Sequence, residues 1–194
     1  MEGNAQVSSV NIEDRILKPI YQDHTVILDV SIDCRHINDN IISTLWVETR
    51  KKFRRKCVEG GFLLEINNII SYESLPFRPE FNKPTPYFRV TMSNVVVKPM
   101  LNQYIFCEIK RFCVDILRCS YGPIEIICSI DKNTLGLLNK KKDIQKYVII
   151  EIVDFKYSFM DTNIKSIGEF VKICEDEDVD KYKDTYFFDY ESSV

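Results

Sequence analysis

The chain has 194 residues, 45% hydrophobic and 28% charged, with a formal net charge of −3. That length supports one large domain or two small ones, and the balance is that of a folded protein. No apolar run approaches the roughly 20 residues that cross a bilayer. Met1–Val10 lacks the basic-then-apolar order of a signal peptide, so an intracellular protein with no membrane partner is expected.

In such a compartment the seven cysteines are expected to be reduced. None forms a C-x-x-C pair, and the histidines are only His24 and His36, so no metal and no cofactor is expected. Cys107, Cys113 and Cys119 are spaced by six, an even step that puts them on one face if they share a strand, and each reads as a small hydrophobe in a sheet. Ile occurs 25 times and Ala once, a bias that points to a β-rich fold and an AT-rich genome. From Glu175 to the end, eight acids oppose Lys181 and Lys183; this net −6 leaves +3 on residues 1–174. A mildly basic body with an acidic tail suits a polyanion-associated protein.

Taken in chain order, residues 1–19 read as a polar extension ended by Pro19. Tyr21–Ile32 alternates, with Val26, Leu28, Val30 and Ile32 on one side, and reads as a strand. A helix follows to Phe53, capped by Asn38 or Asp39, with Ile41, Ile42, Leu45, Trp46, Thr49 and Phe53 recurring at three and four. Its basic end, Arg50 to Lys56, complements the helix dipole. Glu59, Gly60 and Gly61 make a turn into a strand from Phe62 to Ile70. Pro76 and Pro79 mark Ser71–Lys83 as a loop, and Tyr87–Lys98 alternates as another strand. The first half is thus a small α+β unit.

Pro99 opens a second half of short strands: Leu101–Lys110, Phe112–Cys119, Ile124–Ser129, Tyr147–Ile152 and Ile164–Phe170. Turns such as Tyr121-Gly122-Pro123 and a basic connection, Asn139–Lys142, separate them. Five short strands with little helix predict an OB-type β-barrel. The expected organisation is therefore extension 1–19, α+β unit 20–98, barrel 99–171 and an acidic, aromatic-containing tail 172–194, flexible or partner-docking.

Catalysis finds little support. G-x-S-x-G, a phosphate-cradling glycine loop and H-E-x-x-H are all absent from the sequence. Acid pairs such as Asp14 with Asp23, or Asp29 with Asp33, are the carboxylates any surface supplies.

Four stretches carry a resemblance. Arg55 to Ile66, with Glu59-Gly60-Gly61-Phe62, places a small-residue turn before an apolar strand. Val95 to Met100 runs an apolar strand into Lys98-Pro99. Glu108 to Ile130 includes Tyr121-Gly122-Pro123-Ile124, and Ser166-Ile167-Gly168-Glu169 comes late. In order and spacing the chain resembles, over residues 20–171, the seventh-subunit family of RNA polymerase II with its archaeal and Pol III relatives. The resemblance implies a non-catalytic stalk subunit with an α+β tip followed by an OB barrel.

The implied partners are the largest polymerase subunits and a small neighbouring core subunit, a fourth-subunit-like protein, and nascent RNA held weakly. Core docking would fall to Glu59, Gly60, Gly61, Phe62, Lys98 and Pro99. RNA would meet Lys110, Arg111, Arg118, Lys140, Lys141 and Lys142. Polymerisation belongs to the large subunits and their magnesium. The chain departs from the family where a glycine-aromatic pair would stand in the barrel hairpin: Ile116 and Leu117 occupy those positions, so stacking on RNA is not expected. With the AT-rich composition, this divergence points to a large DNA virus or a protist, hence to a virion and cytoplasmic viral factory, or a nucleus. The competing expectation is a free-standing OB-fold RNA-binding protein in translation or RNA processing.

Overall fold

The computed structural model describes residues 20–37, 40–78, 85–113, 115–130, 147–175, 177–180 and 182. The fold is α+β: a four-stranded sheet carrying one helix, followed by a closed five-stranded barrel. The sheet comprises β1 (Tyr21–Ser31), β2 (Lys56–Val58), β3 (Gly61–Arg78) and β4 (Thr85–Val97) in the order β1-β4-β3-β2. Helix α1 (Ile41–Phe53) lies between β1 and β2 in sequence. Its cap is Asn40, whose side chain accepts from the Ser43 N–H at 3.2 Å. Asn38 and Asp39, the expected caps, lie outside the described residues.

Alternation decides the sheet's two faces. Val26, Leu28 and Val30 of β1 and Phe88, Val90, Met92 and Val96 of β4 form one core with Leu45 and Phe53 of α1. Each such side chain contributes about 1.5–3 kcal/mol when fully buried. On the opposite face Arg89 bridges Asp29 at 3.2 Å and Glu73 at 3.4 Å, tying three strands together.

The expected loop Ser71–Lys83 is corrected: Ser71–Arg78 belongs to β3. Pro76 falls inside a register shift between Leu75 and Arg78, near the strand's end. A missing N–H is tolerated at a bulge, so the proline does not end the strand. Residues 79–84 lie outside the described set.

The barrel comprises β5 (Tyr104–Cys113), β6 (Ile116–Tyr121), β7 (Ile124–Ser129), β8 (Tyr147–Lys156) and β9 (Ile164–Ile173). It closes in the order β5-β6-β7-β9-β8, with β7 and β9 parallel and every other pair antiparallel. That mixed, closed, five-stranded arrangement is of the OB type. The strand expected over Phe112–Cys119 instead contains the turn between β5 and β6. Ile124, Ile126 and Cys128 point inward from β7, opposite Leu117, Cys119 and Tyr121 of β6 and Val148, Ile150 and Ile152 of β8.

The two units share a core. Ile20, Cys57, Phe62, Leu64 and Val97 from the sheet join the barrel interior in one buried cluster. The Cys57 N–H donates to the Asp161 carbonyl at 2.7 Å, and the Met160 N–H donates to the Cys57 carbonyl at 2.8 Å. At the link, Asn102 N–H donates to Ile152 carbonyl and Ile152 N–H to Gln103 carbonyl, both at 2.8 Å, which clips residues 100–103 onto β8.

The segment after β9 also differs from expectation. Cys174 and Tyr182 are buried with Phe106 and Ile149 on the outside of the barrel. Phe106 lies between Tyr147, stacked at 5.1 Å, and Tyr182, tilted at 5.8 Å. Lys172 holds Asp178 at 2.9 Å. Residues 1–19 and 183–194 lie outside the described set.

Candidate functional site

The basic face of the barrel originates in one irregularity. On β5, Ile109 pairs with Cys119 and Arg111 with Arg118, leaving Lys110 as an extra residue. Successive residues of a regular strand face opposite sides, but a bulge resets the phase. Lys110 and Arg111 are consequently both exposed, although adjacent. The same shift turns Cys113 outward, whereas Cys107 on the same strand and Cys119 on β6 stay buried.

Arg111 and Arg118 are cross-strand neighbours, and no carboxylate among the described residues pairs with either. Two guanidiniums held side by side repel each other, so an anion between them is favoured. Lys110 is partly neutralised by Glu108 at 2.7 Å. The three cations line a groove of about 490 Å³ that Thr162 and Asn163 also line. The acid in that lining, Glu125, accepts from Asn163 Nδ2 at 2.7 Å. A second, smaller hollow of about 220 Å³ is lined by Arg111, Cys113, Ile116 and Arg118, so the arginines border both.

From Arg118 the register runs to Ile127 on β7 and Ile167 on β9. Both isoleucines are exposed, making a charged-to-aliphatic row across the barrel. This arrangement can hold phosphates at one end and place bases against aliphatic side chains, without aromatic stacking among the described side chains.

The expectation attached to Leu117 is corrected. Leu117 is fully buried inside the barrel, so an aromatic there would face the core and could not stack on RNA. Its neighbour Ile116 faces out. Lys140, Lys141 and Lys142 lie outside the described residues.

The six expected docking residues gather at the junction of sheet and barrel. Glu59 and Lys98 are exposed, Gly60 is half-buried, and Gly61, Phe62 and Pro99 are buried. Gly60 has φ +102 and Gly61 φ +145, backbone that L side chains rarely adopt. A Cβ on Gly60 would meet the His24 ring at 2.5 Å, and one on Gly61 the Val97 carbonyl oxygen at 2.6 Å. The turn is therefore pressed between β1 and the β4 exit. Nearby, the Tyr21 and Tyr121 hydroxyls meet at 3.3 Å across the two units. Burial raises the Tyr21 pKa, and that hydrogen bond partly offsets the rise.

Buried thiols are part of the shared core. Burial, with Asp161 adding to it, pushes the Cys57 thiol up to about 12, and Cys128 rises to about 11 through burial alone. Such thiols are inert packing groups rather than nucleophiles. Among the described residues no group of three His, Cys, Asp or Glu side chains could hold a metal ion.

Sequence reasoning missed the aromatic cluster of Phe106, Tyr147 and Tyr182. The aromatics among the tail acids are visible, but nothing in their spacing tells which of them finds a buried partner.

No protein-family profile matches the chain. It is 22% identical over 155 residues, 74% of this chain and 78% of the relative, to a protein of Acanthamoeba polyphaga mimivirus. That relative carries the provisional name of a DNA-directed RNA polymerase subunit.

Proposed function

We propose that this chain is a non-catalytic stalk subunit of a multi-subunit DNA-directed RNA polymerase, in a large DNA virus. The observation that carries the reading is the fused architecture. A helix-bearing sheet is locked by a shared core to an OB-type barrel that carries, on its outside, an arginine couple with no carboxylate partner among the described residues. The likeness to the mimivirus protein supports a place in a polymerase.

In this reading the sheet unit docks on the largest subunits and a small neighbouring core subunit near the clamp. Glu59 and Lys98 make contacts there, while Gly60, Gly61, Phe62 and Pro99 set the shape of the turn. Because the units share buried side chains, the docked sheet fixes the direction in which the barrel projects. Lys110, Arg111 and Arg118, with Lys140 to Lys142, then meet the phosphates of exiting RNA. Contacts of this kind are weak, indifferent to sequence and salt-dependent. The site of action is the virion and the cytoplasmic viral factory. The test is affinity purification of the tagged chain from cells that make it, followed by mass spectrometry. Recovery with the two largest polymerase subunits is expected, and recovery with translation or RNA-processing factors instead would favour a free-standing RNA binder.

A further inference from the structure

The two edges of the sheet are built differently. β2 closes one side of the sheet but pairs only with Gly61–Leu63, so beyond Leu63 it is β3 that forms that edge among the described residues. β3 carries four register shifts, at Leu63/Glu65, Ile66/Asn68, Ile69/Ser71 and Leu75/Arg78. Bulges of this kind bend an edge and spoil it as a template. β1, at the other edge, pairs with β4 without interruption from Tyr21↔Val97 to Ser31↔Tyr87.

The phase of that ladder follows from its ends. Lys98 N–H donates to Ile20 carbonyl at 3.0 Å and Ile32 N–H donates to Pro86 carbonyl at 3.1 Å. In an antiparallel pair a residue's N–H and C=O point the same way, alternating along the strand. Even-numbered residues of β1 therefore face β4. Asp23, Thr25 and Ile27 direct their backbone N–H and C=O to the open side, where no described strand pairs with them. All three are exposed, Ile27 by 58%.

We propose that this open edge of β1 takes an extended segment of another polymerase subunit by strand addition, an inference that rests on the function proposed above. The main chain supplies affinity and the side chains supply choice. Asp23 calls for a basic side chain opposite it and Ile27 for an aliphatic one. The two stand four residues apart on one face of the added strand. A second copy of this chain is a poorer fit. Antiparallel pairing about Val26 sets Asp23 against Asp29, and parallel in-register pairing sets Asp23 against itself, and like charges directly opposite are destabilising.

The phase also supplies a selective perturbation. Thr25→Pro removes an N–H from the open edge and none from the β4 ladder, whereas His24→Pro removes a ladder donor. Asp23→Lys reverses the edge charge and leaves the backbone alone. In affinity purification of the full-length tagged chain, Thr25→Pro should retain its folded far-ultraviolet circular dichroism yet recover at least tenfold less of the two largest polymerase subunits. Asp23→Lys should lower recovery severalfold. Hydrogen exchange at Asp23, Thr25 and Ile27 should be fast in the free chain and slow in the complex. Undiminished recovery by both folded variants would overturn the proposal. So would protection of those amides in the free chain, whether by its own residues 1–19 or by a second copy. If the wild-type chain recovers no polymerase subunits, the proposed function fails and this inference falls with it.

Discussion

Gly61 offers the sharpest test of how the junction is built. Gly61→Ala places a Cβ at φ +145 and 2.6 Å from the Val97 carbonyl oxygen. The backbone conformation alone costs about 1–3 kcal/mol for a residue with a side chain. Relieving the collision requires Val97 and Lys98 to move, and these are the residues that carry β4 into the barrel; overpacking of this kind adds about 1–3 kcal/mol. With a urea slope of about 2 kcal/mol/M, a combined loss of about 4 kcal/mol lowers the unfolding midpoint by about 2 M. Gly60→Ala should cost less, because its Cβ meets the exposed His24 ring, which can swing away, rather than backbone. The fluorescence of Trp46, the only tryptophan of the chain, follows unfolding of the helix-bearing unit. A Gly61→Ala midpoint within about 0.25 M of wild type, or a larger loss at Gly60, would refute the account of the turn.

Arg111→Ala with Arg118→Ala should weaken RNA binding equally across sequences and lower the slope of log affinity against log salt by about 1.4. Fluorescence anisotropy at several salt concentrations measures this, and sequence-selective binding that survives high salt would contradict it. A thiol reagent should label exposed Cys34 and Cys113 quickly and Cys57, Cys107, Cys119, Cys128 and Cys174 only on unfolding. Tyr182→Ala should cost about 3 kcal/mol and admit the reagent to Cys174; slow labelling there would show that Tyr182 does not cover it. Stability should fall as pH rises from about 9 toward 12. Unfolded thiols ionise near 9, while burial keeps Cys57 and Cys174 protonated up to about 12, so the folded state holds more protons over that window. Denaturant titrations at pH 8 and pH 10.5 compare the two, and equal stability would count against buried thiols.

Much of this fold is legible in the sequence because alternation is a local signal. Val26, Leu28 and Val30 on β1, or Ile124, Ile126 and Cys128 on β7, declare their buried face without knowledge of a partner. The order of sheet unit and barrel follows from strand spacing and from Pro99. What escapes depends on partners remote in sequence. The bulge at Lys110 exists because β5 pairs with β6 in two registers, and no property of Lys110 announces it; yet it decides that Arg111 faces solvent and Cys113 does too. By analogy with a hairpin Leu117 reads as a surface position, whereas the phase of β6 puts it in the core. Pro76 points to a loop because a proline in a strand is costly, a rule that relaxes inside a bulge. Tyr182 reads as one more aromatic in an acidic tail until Phe106 supplies the surface it covers.

The central claim is membership of a polymerase, and subunit stoichiometry tests it most directly. The tagged full-length chain should elute from size-exclusion chromatography at physiological salt in one complex with the two largest polymerase subunits, one copy of each. Elution as a monomer, with those subunits in separate fractions, would contradict it.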